Sequence, residues 1–236
     1  MNIYPYGQSA LIVNFGQQVD VSINDKVHRL HIYLIEKNIP GVVDMIPSYC
    51  DLTIQIDPDQ LEMAQLISVI ESYSREENRP FAYEKELKLP VCYEKSFAPD
   101  INVVCEFTGL TKEEVIKMHS AQSYKVYMYG FIPGFAYMGK LNSALTCPRK
   151  SSPRIRVEKG SVAIADRQTA IYPVECPGGW QIIGRCPIPV FEKITTAAFI
   201  FKPGDLVKFE PIQKEIFNLL LEYKISWDIN EGRIKS

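Results

Sequence analysis

Glycines, aromatic residues and arginines are concentrated in one stretch of the chain, between residues 124 and 204. This stretch holds eight of the thirteen glycines and eight of the sixteen prolines. Glycines let backbone N–H groups approach a ligand closely, aromatic rings wall a concave pocket, and arginine fixes an anionic group. These residue types predict a pocket for a small anionic ligand, and a barrel rich in turns would use glycine and proline as well. The pocket motifs lie at residues 130–137, 148–149, 153–154, 168–169, 172–173 and 177–180.

The net charge of −2 conceals an uneven distribution of charge along the chain. Residues 1–123 contain ten basic and eighteen acidic residues, residues 124–204 contain eleven and four, and residues 205–236 contain five and six. The three segments therefore carry −8, +7 and −1. Because arginine pairs with carboxylate and phosphate groups, the cationic segment is the predicted ligand surface. It contains five of the nine arginines: Arg149, Arg154, Arg156, Arg167 and Arg185.

Few side chains have a sequence context that suits an acid, a base, a nucleophile or a metal ligand. His119 ends a predicted helix just before the cationic segment, where an acid–base role and an interaction with the helix dipole fit equally well. Cys176 is a conceivable nucleophile, but nothing in its local sequence lowers the pKa of a thiol, so we expect an inert cysteine. His28 and His31 lie three residues apart on a predicted helix without nearby Cys or carboxylate ligands, and we predict no metal site.

Several classes of protein are excluded or disfavoured by the sequence. The motifs GxxxxGK[ST], GxGxxG, HExxH and GxSxG do not occur. The six cysteines form no CxxC pair, which favours free thiols. There is no signal-peptide pattern and no apolar stretch near the roughly 20 residues that span a bilayer, so we expect a cytoplasmic protein that does not enter a membrane. The slightly negative charge and the lack of a basic helix argue against a nucleic-acid partner.

The elements before residue 80 predict a small α+β domain. Hydrophobic periodicity predicts strands over 9–15, 42–46 and 52–56, a helix over 21–36 and a second helix from 58 onward. The second helix has Asp57 as its expected N-cap, Gln60 in a capping box and Ala64 on its buried face. The polar run 74–80 is predicted to link this domain, residues 1–80, to a second domain over 81–236.

The elements after residue 80 predict a mainly β domain. A strand over 83–89 and short helices over 99–107 and 112–119 come first, with Thr111 and Glu114 as a capping box. Short strands then alternate with Gly and Pro turns, at 124–129, 155–157, 161–165, 169–172, 180–184 and 205–209. Such a series predicts a closed barrel or a sandwich. A final amphipathic helix over 211–223 is expected to bury Leu220 and Tyr223.

An ordered series of motifs in the second domain resembles a known family. Its members here are His119, 130–139 (GFIPGFAYMG), 148–149 (PR), 153–154 (PR), 160–165 (GSVAIA), 168–169 (QT), 171–173 (IYP), 177–185 (PGGWQIIGR) and 203–205 (PGD). Over residues 3–212 the chain is similar to the family that includes the 5-oxoprolinase B subunit, allophanate hydrolase subunit 1 and the sporulation histidine-kinase inhibitor. The resemblance implies a ferredoxin-like α+β N-terminal domain followed by a mainly β cyclophilin-like barrel. Asp166, Arg167 and Cys186 depart from the family's pattern at the expected pocket rim.

This resemblance implies the B subunit of an ATP-dependent 5-oxoprolinase, which opens 5-oxoproline to glutamate together with A-like and C-like subunits. ATP is consumed by the complex, and which of its proteins binds ATP is left open. Two alternatives also stay open: an inhibitor that docks on a histidine kinase, and a component of an allophanate hydrolase or urea amidolyase. Prolyl isomerase activity would rest on fold alone, which does not determine function. The resemblance implies catalytic roles for His119, Arg154 and Arg185 and ligand contacts for Arg149, Gln168, Tyr172, Gly178, Gly179 and Trp180.

Overall fold

The computed structural model describes residues 1–73, 85–191 and 199–235. The chain divides into two compact units, residues 1–82 and 83–236. The predicted linker over 74–80 lies outside the described residues, so the predicted boundary at residue 80 stays a prediction. No helix within the described ranges is both long enough and apolar enough to cross a lipid bilayer.

The first unit is a four-stranded antiparallel sheet with two helices. The elements are β1 (Asn2–Pro5), β2 (Ala10–Asn14), α1 (Val21–Lys37), β3 (Val42–Pro47), β4 (Asp51–Ile56) and α2 (Met63–Tyr73). The strands lie in the order β1-β2-β4-β3. Leu11, Val13, Leu52 and Ile54 on the two central strands pack against the helices. The sequence did not predict β1, which pairs with β2 and extends the sheet by one strand.

The two helices of this unit differ in how well their starts were predicted. Helix α1 starts after Asp20, whose carboxylate accepts the Ser22 N–H at 2.8 Å, as the periodicity predicts. Helix α2 starts at Met63, five residues later than predicted, because residues 57–60 close a separate turn. In that turn the Gln60 side chain donates to the Asp57 carboxylate at 2.6 Å. The prediction that Ala64 is buried was wrong, because the later start turns this residue to solvent.

The second unit contains a closed seven-stranded barrel, as the series of short strands predicts. The elements are β5 (Glu86–Cys92), α3 (Ile101–Thr108), α4 (Lys112–Ser120), β6 (Ser123–Tyr129), β7 (Ala136–Gly139), β8 (Arg154–Val157), β9 (Ser161–Ala165), β10 (Gln168–Ile171), β11 (Cys176–Gly178), β12 (Gln181–Arg185), β13 (Leu206–Ile212) and α5 (Lys214–Leu221). The barrel strands lie in the order β10-β7-β6-β13-β5-β12-β9, and β9 pairs with β10 to close it. Strands β13 and β5 run parallel over seven residue pairs, and all other barrel pairs within the described ranges are antiparallel.

The barrel wall is buried on both faces in the region that carries the pocket motifs. Along β9, Val162 and Ile164 belong to the interior cluster, whereas Ala163 and Ala165 belong to a second cluster outside the barrel. This alternation is the two-residue period of a strand. The two-stranded ribbon β8-β11 belongs to the outer layer, where Val157 packs in the second cluster. The outer layer therefore forms a second apolar surface, on which a pocket can be built.

The C-terminal residues attach to the side of the barrel along strand β5. The Trp227 indole N–H donates to the Lys88 carbonyl at 2.9 Å, and the Lys88 N–H donates to the Ile229 carbonyl at 2.7 Å. A hairpin of two short strands, β14 (Trp227–Asp228) and β15 (Arg233–Ile234), follows α5. The prediction that Tyr223 is buried was wrong: helix α5 ends at Leu221, and Tyr223 is 82% exposed.

Candidate functional site

An aromatic cavity of about 240 Å³ lies on the outer layer of the barrel. We define it by Phe131, Phe135, Tyr137, Arg149, Tyr172, Gly178, Gly179 and Trp180. Five of the six ligand contacts implied by the resemblance therefore line one cavity. Gln168 does not: it begins β10, paired with Ala165, and is half-buried.

The rings of the aromatic cavity hold one another edge to face. Phe135 is 99% buried at the centre, with ring centroids 5.0 Å from Tyr137, 5.2 Å from Tyr172 and 5.7 Å from Trp180. Edge-to-face contacts of this kind are favourable beyond the area they bury. Phe131, in contrast, is 63% exposed at the rim. The walls are therefore rigid and apolar, and the opening is marked by an exposed ring.

The two glycines of the cavity have different roles. A methyl group at Gly178 would lie 2.7 Å from ring carbons of Tyr172, so this ring requires a glycine in β11. At Gly179 the nearest atom would be Pro153 Cγ at an ordinary 3.6 Å. Burial raises the pKa of the Tyr172 hydroxyl to about 12, and this oxygen accepts the Trp180 backbone N–H. Gly178 thus serves packing, whereas Gly179 leaves the cavity open.

Arg149 supplies the positive charge of the aromatic cavity. Its guanidinium lies over the Trp180 ring, 5.7 Å from the centroid, a cation–π contact. Its charge favours ionisation of Tyr137, although burial outweighs this and raises the pKa of that hydroxyl. Within the described ranges no carboxylate lies within ion-pair distance of Arg149. The cavity can therefore offer an uncommitted guanidinium to an anionic ligand.

The two arginines implied to be catalytic, Arg154 and Arg185, lie in a different cavity. This arginine cavity, about 190 Å³, is defined by Ser96, Arg154, Arg156, Glu158, Ser161 and Arg185. Arg154 donates to the Asp100 carboxylate at 2.6 Å, and Arg185 forms an ion pair with Glu158. The structure therefore separates Arg154 and Arg185 from Arg149.

Asp100 holds Arg154 of the arginine cavity in place, and the sequence did not single it out. It is 98% buried, and its carboxylate accepts the Ile182 N–H at 2.7 Å in addition to Arg154 and Lys150. Burial alone would raise the pKa of Asp100, but the bonds from Arg154, Ile182 and Lys150 outweigh it and hold the pKa below its ordinary value. Asp100 falls near the start of the helix predicted over 99–107, and no role was assigned to it from the sequence.

His119 lies in the barrel interior, away from both cavities. Thr169 donates its hydroxyl to the Ala163 carbonyl at 3.0 Å, so its oxygen is free to accept His119 Nε2–H at 2.9 Å. His119 Nδ1 then accepts the Tyr93 hydroxyl at 2.8 Å. The imidazole is fully buried and stacks on Phe209 with centroids 4.6 Å apart. Burial lowers its pKa to about 3, so the ring is neutral near pH 7.

Neither thiol chemistry nor a metal centre is supported by the geometry of the described residues. Burial raises the pKa of the Cys176 thiol, which makes it less nucleophilic, in line with the expected inert cysteine. Within the ranges that the structure describes, no three His, Cys, Asp or Glu side chains are grouped closely enough to hold a metal ion. The aromatic cavity is lined by an arginine, aromatic rings, prolines and two glycines.

Comparisons with known proteins give matches that cover most of this chain. The family model described as carboxyltransferase domain, subdomain C and D, matches residues 1–201. The 5-oxoprolinase B subunit of Bacillus subtilis (strain 168) is 36% identical over 227 residues, which cover 92% of this chain and 95% of that protein. The 5-oxoprolinase B subunit of Escherichia coli O157:H7 is 34% identical over 216 residues, covering 90% and 96%.

Longer proteins contain a region similar to most of this chain. The crystal structure of TTHA0988 matches with a TM-score of 0.77 and 31% identity, over 86% of this chain and 40% of that one. This chain thus spans about two-fifths of that protein. The urea amidolyase of Saccharomyces cerevisiae (strain ATCC 204508 / S288c) is more distant: it is 25% identical over an alignment of 253 positions, which covers 92% of this chain and 13% of that protein.

Proposed function

The chain belongs to the family of the carboxyltransferase domain, subdomain C and D, and from this premise we propose that it is the B subunit of an ATP-dependent 5-oxoprolinase. The complex would open the lactam ring of 5-oxoproline to give glutamate. Relatives named as the B subunit of 5-oxoprolinase are 32–36% identical over about nine-tenths of this chain, whereas the urea amidolyase similarity is weaker. We therefore prefer the 5-oxoprolinase function to the urea amidolyase function.

The aromatic cavity is the site that we assign to 5-oxoproline. The ligand has one carboxylate and a small flat ring, and the cavity has one uncommitted guanidinium beside apolar ring faces. The carboxylate would bind Arg149, and the ring would pack against Tyr137 and Trp180. Tyr172 stays protonated near pH 7, since its pKa lies near 12. The uncommitted charge of Arg149 is the single observation that carries this assignment.

This chain would act as a binding component rather than as a complete enzyme. Its sequence has no P-loop, and the arrangement of the aromatic cavity provides contacts but no general base. We propose that A-like and C-like subunits complete the active site in the cytoplasm and that ATP is consumed by the assembled complex. We propose a structural role for His119 in the barrel, because its buried ring is hydrogen-bonded at both nitrogens and is out of reach of a ligand.

The fold names implied by the resemblance belong to the same proposal. In the first unit, α1 connects β2 to β3, and β4 lies between these two strands, as in a split βαβ unit. Strand β1 occupies the edge position beside β2. We therefore propose a ferredoxin-like first domain and a cyclophilin-like second domain, with the boundary near residue 80.

The test is turnover by the assembled complex. The chain would be purified with its A-like and C-like subunits, and glutamate formation and 5-oxoproline-dependent ATP hydrolysis would be measured. We expect R149Q to raise the KM for 5-oxoproline by roughly tenfold or more, since a charged hydrogen bond is lost. R167Q is the matched control, because Arg167 is exposed and lines neither cavity.

The outcomes separate the function from the site. An assembled complex that forms no glutamate from 5-oxoproline overturns the function, and consumption of allophanate or urea instead supports the urea amidolyase type. Turnover with an unchanged KM in R149Q overturns the site alone. The histidine-kinase inhibitor stays a prediction from the resemblance.

A further inference from the structure

The arginine cavity contains charged groups that the proposed function does not use. Arg154, Arg156 and Arg185 reach it from two different strands, β8 and β12, and the Ser161 side chain lies in its wall. Three guanidinium groups around a volume of about 190 Å³ are unusual, because like charges repel unless an anion lies between them. Asp100, Glu158 and Glu175 supply the negative charge that pairs with these three groups.

The Arg154 side chain is held in place by a buried carboxylate. Its Nη2 donates to the buried Asp100 carboxylate at 2.6 Å, and Asp100 is itself held by the Ile182 N–H and by Lys150. A buried carboxylate with three donors does not move away readily. Among the described residues, Arg154 Nη1 has no hydrogen-bond partner, and this atom is buried from solvent. One side of the cavity is thus preorganised.

Among the described residues, the other two arginines form ion pairs only with exposed carboxylates. Arg185 pairs with Glu158, and Arg156 pairs with Glu175 at 2.7 Å. These carboxylate side chains are 58% and 50% exposed, and exposed ion pairs contribute little to stability. Arg185 is also oriented by its Nε, which donates to the Lys159 carbonyl at 3.0 Å. An entering anion can therefore displace the glutamates while Arg185 keeps its orientation.

Glu158 shows where such an anion would bind. Its carboxylate lines the cavity and already occupies one face of the Arg185 guanidinium. The four cations Lys150, Arg154, Arg156 and Arg185 face three carboxylates, Asp100, Glu158 and Glu175, which leaves one positive charge uncompensated. If the two exposed glutamates swing out, three positive charges face the incoming ligand. An oxyanion with several acceptor oxygens matches these donors.

We propose that the arginine cavity is a binding site for a tetrahedral oxyanion of the phosphate class. It goes beyond the proposed function, which places 5-oxoproline in the aromatic cavity and assigns no ligand here. Inorganic phosphate and the terminal phosphate of a nucleotide share this chemistry. Comparing the affinity of the chain for each of them distinguishes the two sources. The binding is a property of the isolated chain, so it can hold or fail independently of 5-oxoproline turnover.

The test is calorimetric titration of the full-length chain with inorganic phosphate and, separately, with ADP at constant ionic strength. We expect R156Q and R185Q each to weaken phosphate binding roughly tenfold, because each removes a charged hydrogen bond. E158Q is expected to tighten binding, because it removes the internal competitor. R167Q is the matched control, since it removes the same charge outside this cavity.

Each outcome decides the proposal. Phosphate binding that is weakened by R156Q and R185Q, tightened by E158Q and unchanged in R167Q supports it. ADP binding that is tighter than phosphate binding and shows the same pattern identifies a nucleotide as the source. No binding at millimolar phosphate, or equal weakening by R167Q, overturns the proposal. Near-UV circular dichroism of every variant would establish that it is folded.

Discussion

Burial determines the protonation state of His119. Its Nε2–H points to Thr169 and its Nδ1 accepts from Tyr93, so both nitrogens are satisfied only in the neutral state. Protonation would place a charge in the apolar barrel interior and remove the acceptor for Tyr93. The imidazole therefore stabilises the barrel by remaining uncharged, which is the opposite of what an acid–base catalyst near pH 7 requires.

This arrangement predicts how stability depends on pH. The pKa of His119 is about 3 in the folded chain against an ordinary 6.5, so between these values the unfolded chain binds the extra proton. The free energy of unfolding should then fall as the pH drops from 6.5 towards 3, by up to about 1.4 kcal/mol per pH unit from this group. Denaturant titrations at about pH 4 to 7 on the wild type and H119Q measure it. If the free energy of unfolding depends on pH equally in the wild type and in H119Q, the prediction is contradicted.

The elements differ in how far local sequence determines them. Helix α4 has its capping box, Thr111 and Glu114, as predicted, because all the bonds involved are within four residues. Strands β7 and β11 were not predicted, since each is short and is defined by pairing with β6 or β8 rather than by its own pattern. The barrel class could thus be predicted from the number of strands, whereas its order could not.

Strand β11 also carries a prediction about packing against the aromatic cavity. G178A would place a methyl 2.7 Å from Tyr172 ring carbons, and overpacking of this kind costs roughly 1–3 kcal/mol. G179A is the matched control, because its methyl would have an ordinary 3.6 Å contact. Thermal unfolding of the two variants compares them directly. Equal stability of G178A and wild type would mean that the Tyr172 ring is not confined by this strand.

At the scale of the whole molecule, the pocket predicted from composition becomes two cavities. Arg149 and Arg154 are five residues apart, yet one faces the aromatic cavity and the other the arginine cavity. Charge counts along the chain place both in one cationic segment, and only the path of the chain into β8 separates them. The sequence therefore predicts which arginines can bind anions. Their division between two cavities depends on the pairing of strands that are distant in the chain.

The separation of the apolar cores predicts that the second unit folds by itself. Among the described residues, the buried members of its two clusters lie between residues 87 and 209, whereas the cluster of the first unit draws on residues 3–73. A closed barrel has no open edge strand that needs a partner, and a fragment of this size buries enough surface to be stable. We expect residues 83–236, expressed alone, to show near-UV circular dichroism and one cooperative thermal transition. A fragment that shows far-UV but no near-UV signal would mean that the barrel side chains pack only in the full chain.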